Sequence, residues 1–176
     1  MLGPHNRRNA LIAQRCINAL GLDAGNDALA SAAKGFVPLA NRLTVVHEHG
    51  GVLFVDDSLS TNVLSTLAAV DAFPDRKVAL IVGGQNRGID YTELASLPPS
   101  THVVITESEA ADRIASVLPA AERVASLDAA VRTAYEAAQP GGVVLFSPAA
   151  PSFDQHTSYR ERAAAFAAAA RNAPGA

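Results

Sequence analysis

Apolar residues return at helical spacing through the first twenty positions, at Leu11, Ile12, Cys16, Ile17 and Leu20, and Gly21 follows as a stop. This pattern predicts an amphipathic helix over 6–20, with Pro4 at its entry and Cys16 on the face turned into a core. A second helical patch, 28–33, is closed by Lys34-Gly35. The runs 43–46 and 52–55 then flank His47 to Gly51 and predict a hairpin, followed by a helix carrying Val63, Leu64, Leu67, Ala68 and Val70.

From Val78 onward the alternation becomes regular. The continuous run Val78 to Val82 has the β-branched, all-apolar character of a strand covered on both faces, and Gly83-Gly84 ends it. His102 to Thr106 is a second such strand, Ser108 a candidate cap for a helix reaching Leu118, 123–125 a short strand, and Ser126 a cap for the next helix. In that helix Leu127, Ala130, Val131, Ala134, Tyr135 and Ala138 make an inward stripe. The strand Val143 to Phe146 follows Pro140-Gly141-Gly142, and Ser158 with Glu161 has capping-box spacing at the head of an alanine-rich last helix. Strands alternating with helices predict an α/β fold: a doubly wound, mostly parallel, Rossmann-like sheet with an N-terminal hairpin strand.

Sheets of this kind place ligands outside the carboxyl ends of their strands. The loops so placed are Asp56, Asp57, Ser58 and Thr61 after one strand, Gly84 to Asp90 after the next, and Ser147 to Phe153 after the last. The chain has 176 residues, 49% of them hydrophobic, and a formal net charge of -3, so it carries no basic field of the kind that binds nucleic acid or an anionic membrane. A single cysteine rules out an internal disulfide, and no stretch approaches the roughly 20 apolar residues of a membrane span. A cytoplasmic location is expected. Met1 reads as an added initiator, and the last residues as a disordered tail.

Each polar loop admits a functional and a plain reading. Around Gly83-Gly84-Gln85-Asn86-Arg87-Gly88, backbone amides and a guanidinium fork suit an anion, while the same residues also make an ordinary tight turn with a solvated arginine. The glycine spacing does not match the dinucleotide fingerprint. Asp56 and Asp57 suit a ribose or a metal-nucleotide, but Asp57 or Ser58 equally suits the cap of the following helix. Ser152 lacks the histidine partner a nucleophile requires. His47 and His49 share one strand face without a third ligand at convincing spacing, so an exposed hairpin is the better reading.

Gly3-Pro4-His5-Asn6-Arg7-Arg8-Asn9-Ala10-Leu11 resembles the G-x-H-N-x-x-N-A-L segment at which the central domain of Mur ligases passes into the last domain. Asn41-Arg42, then Asp56 to Asn62 (similar to the MurD D-S-K-x-T-N loop), Gly83-Gly84 with Arg87, and Ser147 to Asp154 follow in the family's order. The resemblance covers essentially the whole chain. It implies residues 1–34 as the helical tail of the central ATPase domain and linker, 35–172 as the Mur ligase C-terminal domain, and 173–176 as the tail. It further implies an ATP-dependent, ADP-forming ligase of peptidoglycan precursor synthesis, in which an acyl phosphate on UDP-MurNAc-L-alanine is attacked by the amine of glutamate. By the same resemblance Asn6, Asn9, Arg42 and Asp57 would contact ATP or ADP, and Thr61, Arg87, Ser152, Phe153 and Tyr159 would hold glutamate.

The resemblance assigns ATP and Mg2+ to the full-length enzyme, with none held tightly by this stretch, because the family's P-loop, UDP-binding region and magnesium ligands do not occur in it. The stretch alone is expected to be folded, monomeric and inactive, its partners being glutamate, UDP-MurNAc-L-alanine, ATP and its own N-terminal and central domains. Leu59 stands where the MurD loop has lysine, and Arg87 where many MurD enzymes have lysine, and the combination D-S-x-S-T with G-G-Q-x-R-G resembles a MurD-like subgroup that adds L-glutamate, an alternative to the D-glutamate enzymes. A free-standing module that binds glutamate or a nucleotide without catalysis, and an unrelated α/β domain, are the readings from other classes.

Overall fold

The structure is a computed structural model that describes residues 4–37 and 39–173. Met1 and Gly3, the side chain of His5 and the final three residues of the expected tail lie outside that description. Two helices come first, α1 (Pro4–Ala19) and α2 (Asn26–Lys34), and pack on each other. The hairpin β1 (Thr44–His49) and β2 (Val52–Asp56) follows, then α3 (Val63–Val70), β3 (Val78–Val82), a 3-10 turn at Thr92–Ser96, β4 (His102–Thr106) and α4 (Ala111–Val117). β5 (Glu122–Val124), α5 (Leu127–Ala138), β6 (Val143–Phe146) and α6 (Tyr159–Asn172) complete the chain.

The strands form one sheet in the order β1-β2-β6-β3-β4-β5, parallel except for the β1 edge, which pairs antiparallel with β2. The hairpin, parallel core and alternating helices match the expectation. The sequence order conceals that β6 returns to the middle, between β2 and β3. Every residue of β3 and β6 is buried, which explains their unbroken apolar runs. One face carries Leu80, Val82, Ile105 and Leu145 against α3, α4 and the 3-10 turn. The other carries Phe54, Ile81, Val104 and Phe146 against α5 and α6. Each such fully buried side chain contributes roughly 1.5–3 kcal/mol of transfer free energy.

Several local expectations change. Cys16 is exposed, as are Leu11, Ile12, Ile17 and Leu20, because helical periodicity identifies an apolar face without supplying the surface that covers it. The cap of α3 is Asn62, whose side chain accepts from the Ser65 amide at 3.0 Å; Asp57 and Ser58 are turned inward instead. Ser108 does not cap α4; its hydroxyl donates to the Thr106 carbonyl, and the helix starts at Ala111. Ser158 accepts from the Glu161 amide, but the Glu161 carboxylate reaches the Thr157 amide rather than that of Ser158, so the capping box is displaced by one residue. Ala173 is buried against the α5–α6 face and Asn172 ends α6, which shortens the expected tail.

Ser126 does cap α5, accepting from the Ala129 amide at 3.2 Å. Its replacement by alanine is expected to cost about 1 kcal/mol in urea unfolding; an unchanged midpoint and slope would show the cap to be dispensable.

Candidate functional site

The carboxyl ends of β2, β3 and β6 are adjacent in the sheet, so the three polar loops that follow them converge at one edge. Their backbones are joined directly. Gly83 donates to the Pro148 carbonyl at 3.1 Å, Gln85 to that of Pro151 at 2.8 Å and Asp57 to that of Phe146 at 2.9 Å. Three non-glycine residues have positive φ among the described residues, Asn41 (63°), Leu43 (46°) and Ala149 (59°), and all lie in segments bordering this edge. Such conformations cost about 1–3 kcal/mol each and persist where surrounding contacts enforce them.

Asp56 and Asp57 leave the end of β2 into the protein interior. Asp56 accepts from the Asn41 amide side chain at 2.8 Å and from the amide and hydroxyl of Ser58. Asp57 accepts from the Leu43 amide at 3.2 Å, from the Ser147 hydroxyl at 2.8 Å and from the Ser60 hydroxyl. The two carboxylates thus fasten the 41–43 segment and the start of the β6 loop to β2. Burial pushes the Asp57 carboxyl above its usual range, against the opposing pull of its hydrogen bonds from Ser60, Ser147 and Leu43 and of the Arg42 charge.

A raised native value means that folding favours the protonated form. The stabilising contribution is therefore full below the ordinary carboxylate range and is lost as pH rises through the raised value. Replacing Asp57 by asparagine removes this titration. The stability advantage of the wild type over D57N in urea is expected to grow as pH falls from 7 to 4, and a constant or shrinking difference would contradict the raised value.

Two recesses adjoin this corner. A groove of about 640 Å³ runs between α1, α2 and the 36–42 segment, lined by Asn6, Asn9, Gln14, Ile17, Phe36 and Arg42 among others. A second of about 230 Å³ is lined by Asn9, Arg42, Leu43, Asp57 and Ser60 together with the α3 flank. Asn9 and Arg42 border both. Asn6 thus lines the first recess and Asp57 the second, with Asn9 and Arg42 shared between them, so that amide, guanidinium and carboxylate groups stand beside apolar walls.

The opposite side of the edge is more open. Arg87 is exposed, its Nε donates to Gln85 Oε1 at 2.7 Å, and its guanidinium carbon lies 5.4 Å from the Phe153 ring centroid. Neighbouring Asn86 is held by its amide on the Glu109 carboxylate and by Arg113 on its side-chain oxygen. Ser152 is buried, its carbonyl accepting from the His156 amide at 2.9 Å, which makes it part of a turn. Thr61 is exposed just before the α3 cap, and Tyr159 is packed by the guanidinium of Arg160 at 5.7 Å. Arg87 and Phe153 are therefore brought together, whereas Thr61 and Tyr159 take no part in that contact.

Arg162 was absent from the expected set. It is 4% exposed, with Nη1 donating to the Ala150 carbonyl and Nη2 to the Ser58 carbonyl, each at 3.0 Å. A signal was present: Arg162, Ala163, Phe166, Ala169, Ala170 and Ala173 recur at helical spacing, so this arginine occupies the inward stripe of α6. Away from this edge, His47 and His49 face each other at 6.4 Å between ring centroids, and His49 meets Tyr135 edge-on. Among the described residues no three His, Cys, Asp or Glu side chains gather as a metal site, and no helix is long and apolar enough to cross a membrane.

Comparison with known proteins bears on this arrangement. The Mur ligase, glutamate ligase domain family matches residues 41–150. The UDP-N-acetylmuramoyl-L-alanine--L-glutamate ligase of Micromonospora sp. is 40% identical over 99% of this chain, and that of Salinispora tropica 39% over 99%. The UDP-N-acetylmuramoylalanine--D-glutamate ligase of Salinibacter ruber is 37% identical over 93%. These alignments take in 40%, 41% and 36% of the relatives' own lengths, so the chain spans about two fifths of the curated relatives it matches.

Solved structures agree on the fold. The UDP-N-acetylmuramate-alanine ligase of Thermotoga maritima superposes with a TM-score of 0.67 at 18% identity, over 98% of this chain and 39% of that one. MurF ligase of the same organism, solved in complex with ADP, gives 0.61 at 18% over 91% of this chain and 36% of that one. The chain belongs to the Mur ligase family, whose glutamate ligase domain it matches over residues 41–150.

Proposed function

We propose that this chain is the glutamate- and nucleotide-contacting C-terminal domain of an ATP-dependent, ADP-forming ligase that joins glutamate to UDP-MurNAc-L-alanine in peptidoglycan precursor synthesis. The observation that carries the reading is the edge at which β2, β3 and β6 end. It presents two recesses that share Asn9 and Arg42, one also lined by Asn6 and the other by Asp57, on one side, and the Arg87–Phe153 pair on the other. Two ligands of different chemistry suit the two sides. The two recesses offer amide hydrogen bonds to a base, and a guanidinium and carboxylate edge to a ribose and phosphates, so Asn6, Asn9, Arg42 and Asp57 are read as the nucleotide side. The Arg87 fork, steadied by Gln85 and stacked on Phe153, suits a carboxylate, and with Thr61, Ser152 and Tyr159 is read as the glutamate side.

Bound ATP supplies the phosphoryl group that activates the acceptor carboxylate. This domain's own contribution is to hold the incoming amino acid by its carboxylate, orient its amine and exclude water while the amide forms. Magnesium is read as held by other parts of the parent protein. The exposed apolar residues Leu11, Ile12, Ile17, Leu20 and Leu22 support reading residues 1–34 as the helical tail of the central ATPase domain and linker, with the sheet domain starting at 35. Its reaction partners and a cytoplasmic place of action follow from the same reading.

Between the enantiomers, L-glutamate is the better supported, since two relatives at 39–40% identity over nearly the whole chain bear L-glutamate ligase names. The experiment is phosphate release by the full-length parent with ATP, magnesium and UDP-MurNAc-L-alanine, supplied with D- or L-glutamate. Turnover with L-glutamate alone is expected; turnover with D-glutamate alone would reverse the enantiomer, and silence with both would sink the ligase reading.

A further inference from the structure

Arg162 lies beneath the loops that carry the candidate site, without lining either side of it. Its two terminal nitrogens diverge, one to the Ser58 carbonyl in the loop after β2 and the other to the Ala150 carbonyl in the loop after β6. The third loop passes close to the same group, since a β-carbon added at Gly84 would come within 3.0 Å of Nη1. The guanidinium also lies over the Phe146 ring, 5.8 Å from its centroid, at the last residue of β6. Two loops, one of them 104 residues away in sequence, are thus bonded to one planar cation, with the third beside it.

Burying that cation is costly, and an apolar side chain would suit the rest of the α6 inner face, formed by Ala163, Phe166, Ala169 and Ala170. What an apolar side chain lacks is a fixed fork that sets two carbonyls at a defined separation. Burial lowers the guanidinium only to about 10, and the charges of Asp154 and Asp56 favour its protonated form, so the fork stays fully charged at neutral pH.

We propose that Arg162 is a positioning residue that couples the loop after β2 to the loop after β6, setting the nucleotide-side and glutamate-side groups relative to one another. This rests on the ligase reading above. Asp57 and Thr61 flank the Ser58 anchor in sequence, and Ser152 and Phe153 follow the Ala150 anchor, so a shift of either carbonyl is passed to one side of the site. A lysine at 162 reaches one carbonyl at a time and retains the charge, which separates the fork from the charge.

The test is steady-state kinetics of the full-length enzyme carrying R162K or R162M, with R87A alongside. In R162K the KM values for ATP and for glutamate are expected to rise together, each about tenfold, the scale of one lost charge-assisted hydrogen bond. In R87A only the glutamate KM is expected to rise. A merely structural arginine would lower the active fraction and leave both KM values of R162K unchanged, and that result, or a rise in only one of them, overturns the inference. R162M, if folded, should match or exceed R162K; wild-type KM values in R162M overturn it as well.

The wild-type parent distinguishes the two ideas. If it joins neither glutamate enantiomer, the ligase reading fails, and amide exchange decides the coupling. Faster exchange in R162K at Ser60 and at His156, whose amide donates to Ser152 in the loop after β6, with unchanged exchange across Val78–Val82, supports it; exchange altered at one loop alone, at neither or uniformly throughout overturns it.

Discussion

Replacing Arg87 by alanine in the full-length enzyme is expected to raise the KM for glutamate about thirtyfold or more, with a much smaller change in the KM for ATP. The magnitude corresponds to about 2 kcal/mol, the lower end of what is lost when a carboxylate is deprived of its hydrogen-bonded cation. The geometry argues for selectivity of the effect. Gln85 anchors Nε at 2.7 Å and Phe153 lies against the guanidinium face, so its plane is fixed and the terminal N–H pair is the part that can fork onto a ligand. Arg87 sits in the loop after β3, whereas Asn9, Arg42 and Asp57 border the recess on the far side of β2. R87K should recover part of the loss, because an ammonium supplies the charge without the paired donors. A glutamate KM unchanged in R87A would remove Arg87 from the site.

Much of this architecture was legible in the sequence for identifiable physical reasons. The run Val78 to Val82 could be read as a central strand because a strand covered on both faces has no polar alternation, and each of its residues is buried. The loops after β2, β3 and β6 could be singled out because parallel strands present their carboxyl ends together. Long-range docking was not legible. Asp57 and Asn62 both have the side chain of a helix cap, and only the arrival of Leu43, Ser60 and Ser147 decides that Asp57 turns inward and leaves the cap to Asn62. The spacing of Arg162 with Ala163 and Phe166 puts it on the inward stripe of α6, but its partners, the carbonyls of Ser58 and Ala150, lie in other loops that the spacing does not reveal. Cys16 errs in the opposite direction: α1 has an apolar face, and no neighbour among the described residues covers it.

The largest stability effect is expected at Gly84, where alanine should cost about 3 kcal/mol, combining backbone strain with overpacking. For a chain of this size that is a fall of about 9 °C in Tm. The residue has φ of 148°, which L side chains rarely adopt, and an added β-carbon would collide with the Pro151 carbonyl oxygen while meeting Arg162 Nη1 at 3.0 Å and the Ala150 β-carbon at 3.1 Å. Relaxation is blocked on both sides, since the Gly84 carbonyl accepts from the Ala110 amide at 3.0 Å and the next amide, Gln85, donates to Pro151 at 2.8 Å. Gly88 provides the control: its φ of 72° carries strain, but an added β-carbon there meets nothing within 4 Å. Alanine at 88 should therefore cost about 1 kcal/mol, the left-handed penalty alone. Equal losses for G84A and G88A in thermal or urea unfolding would refute the close-packing argument. A loss at Gly84 two to three times larger would mean that the β3 loop is clamped between β6 and Arg162, and that the same contact limiting the size of residue 84 holds the arginine fork in register.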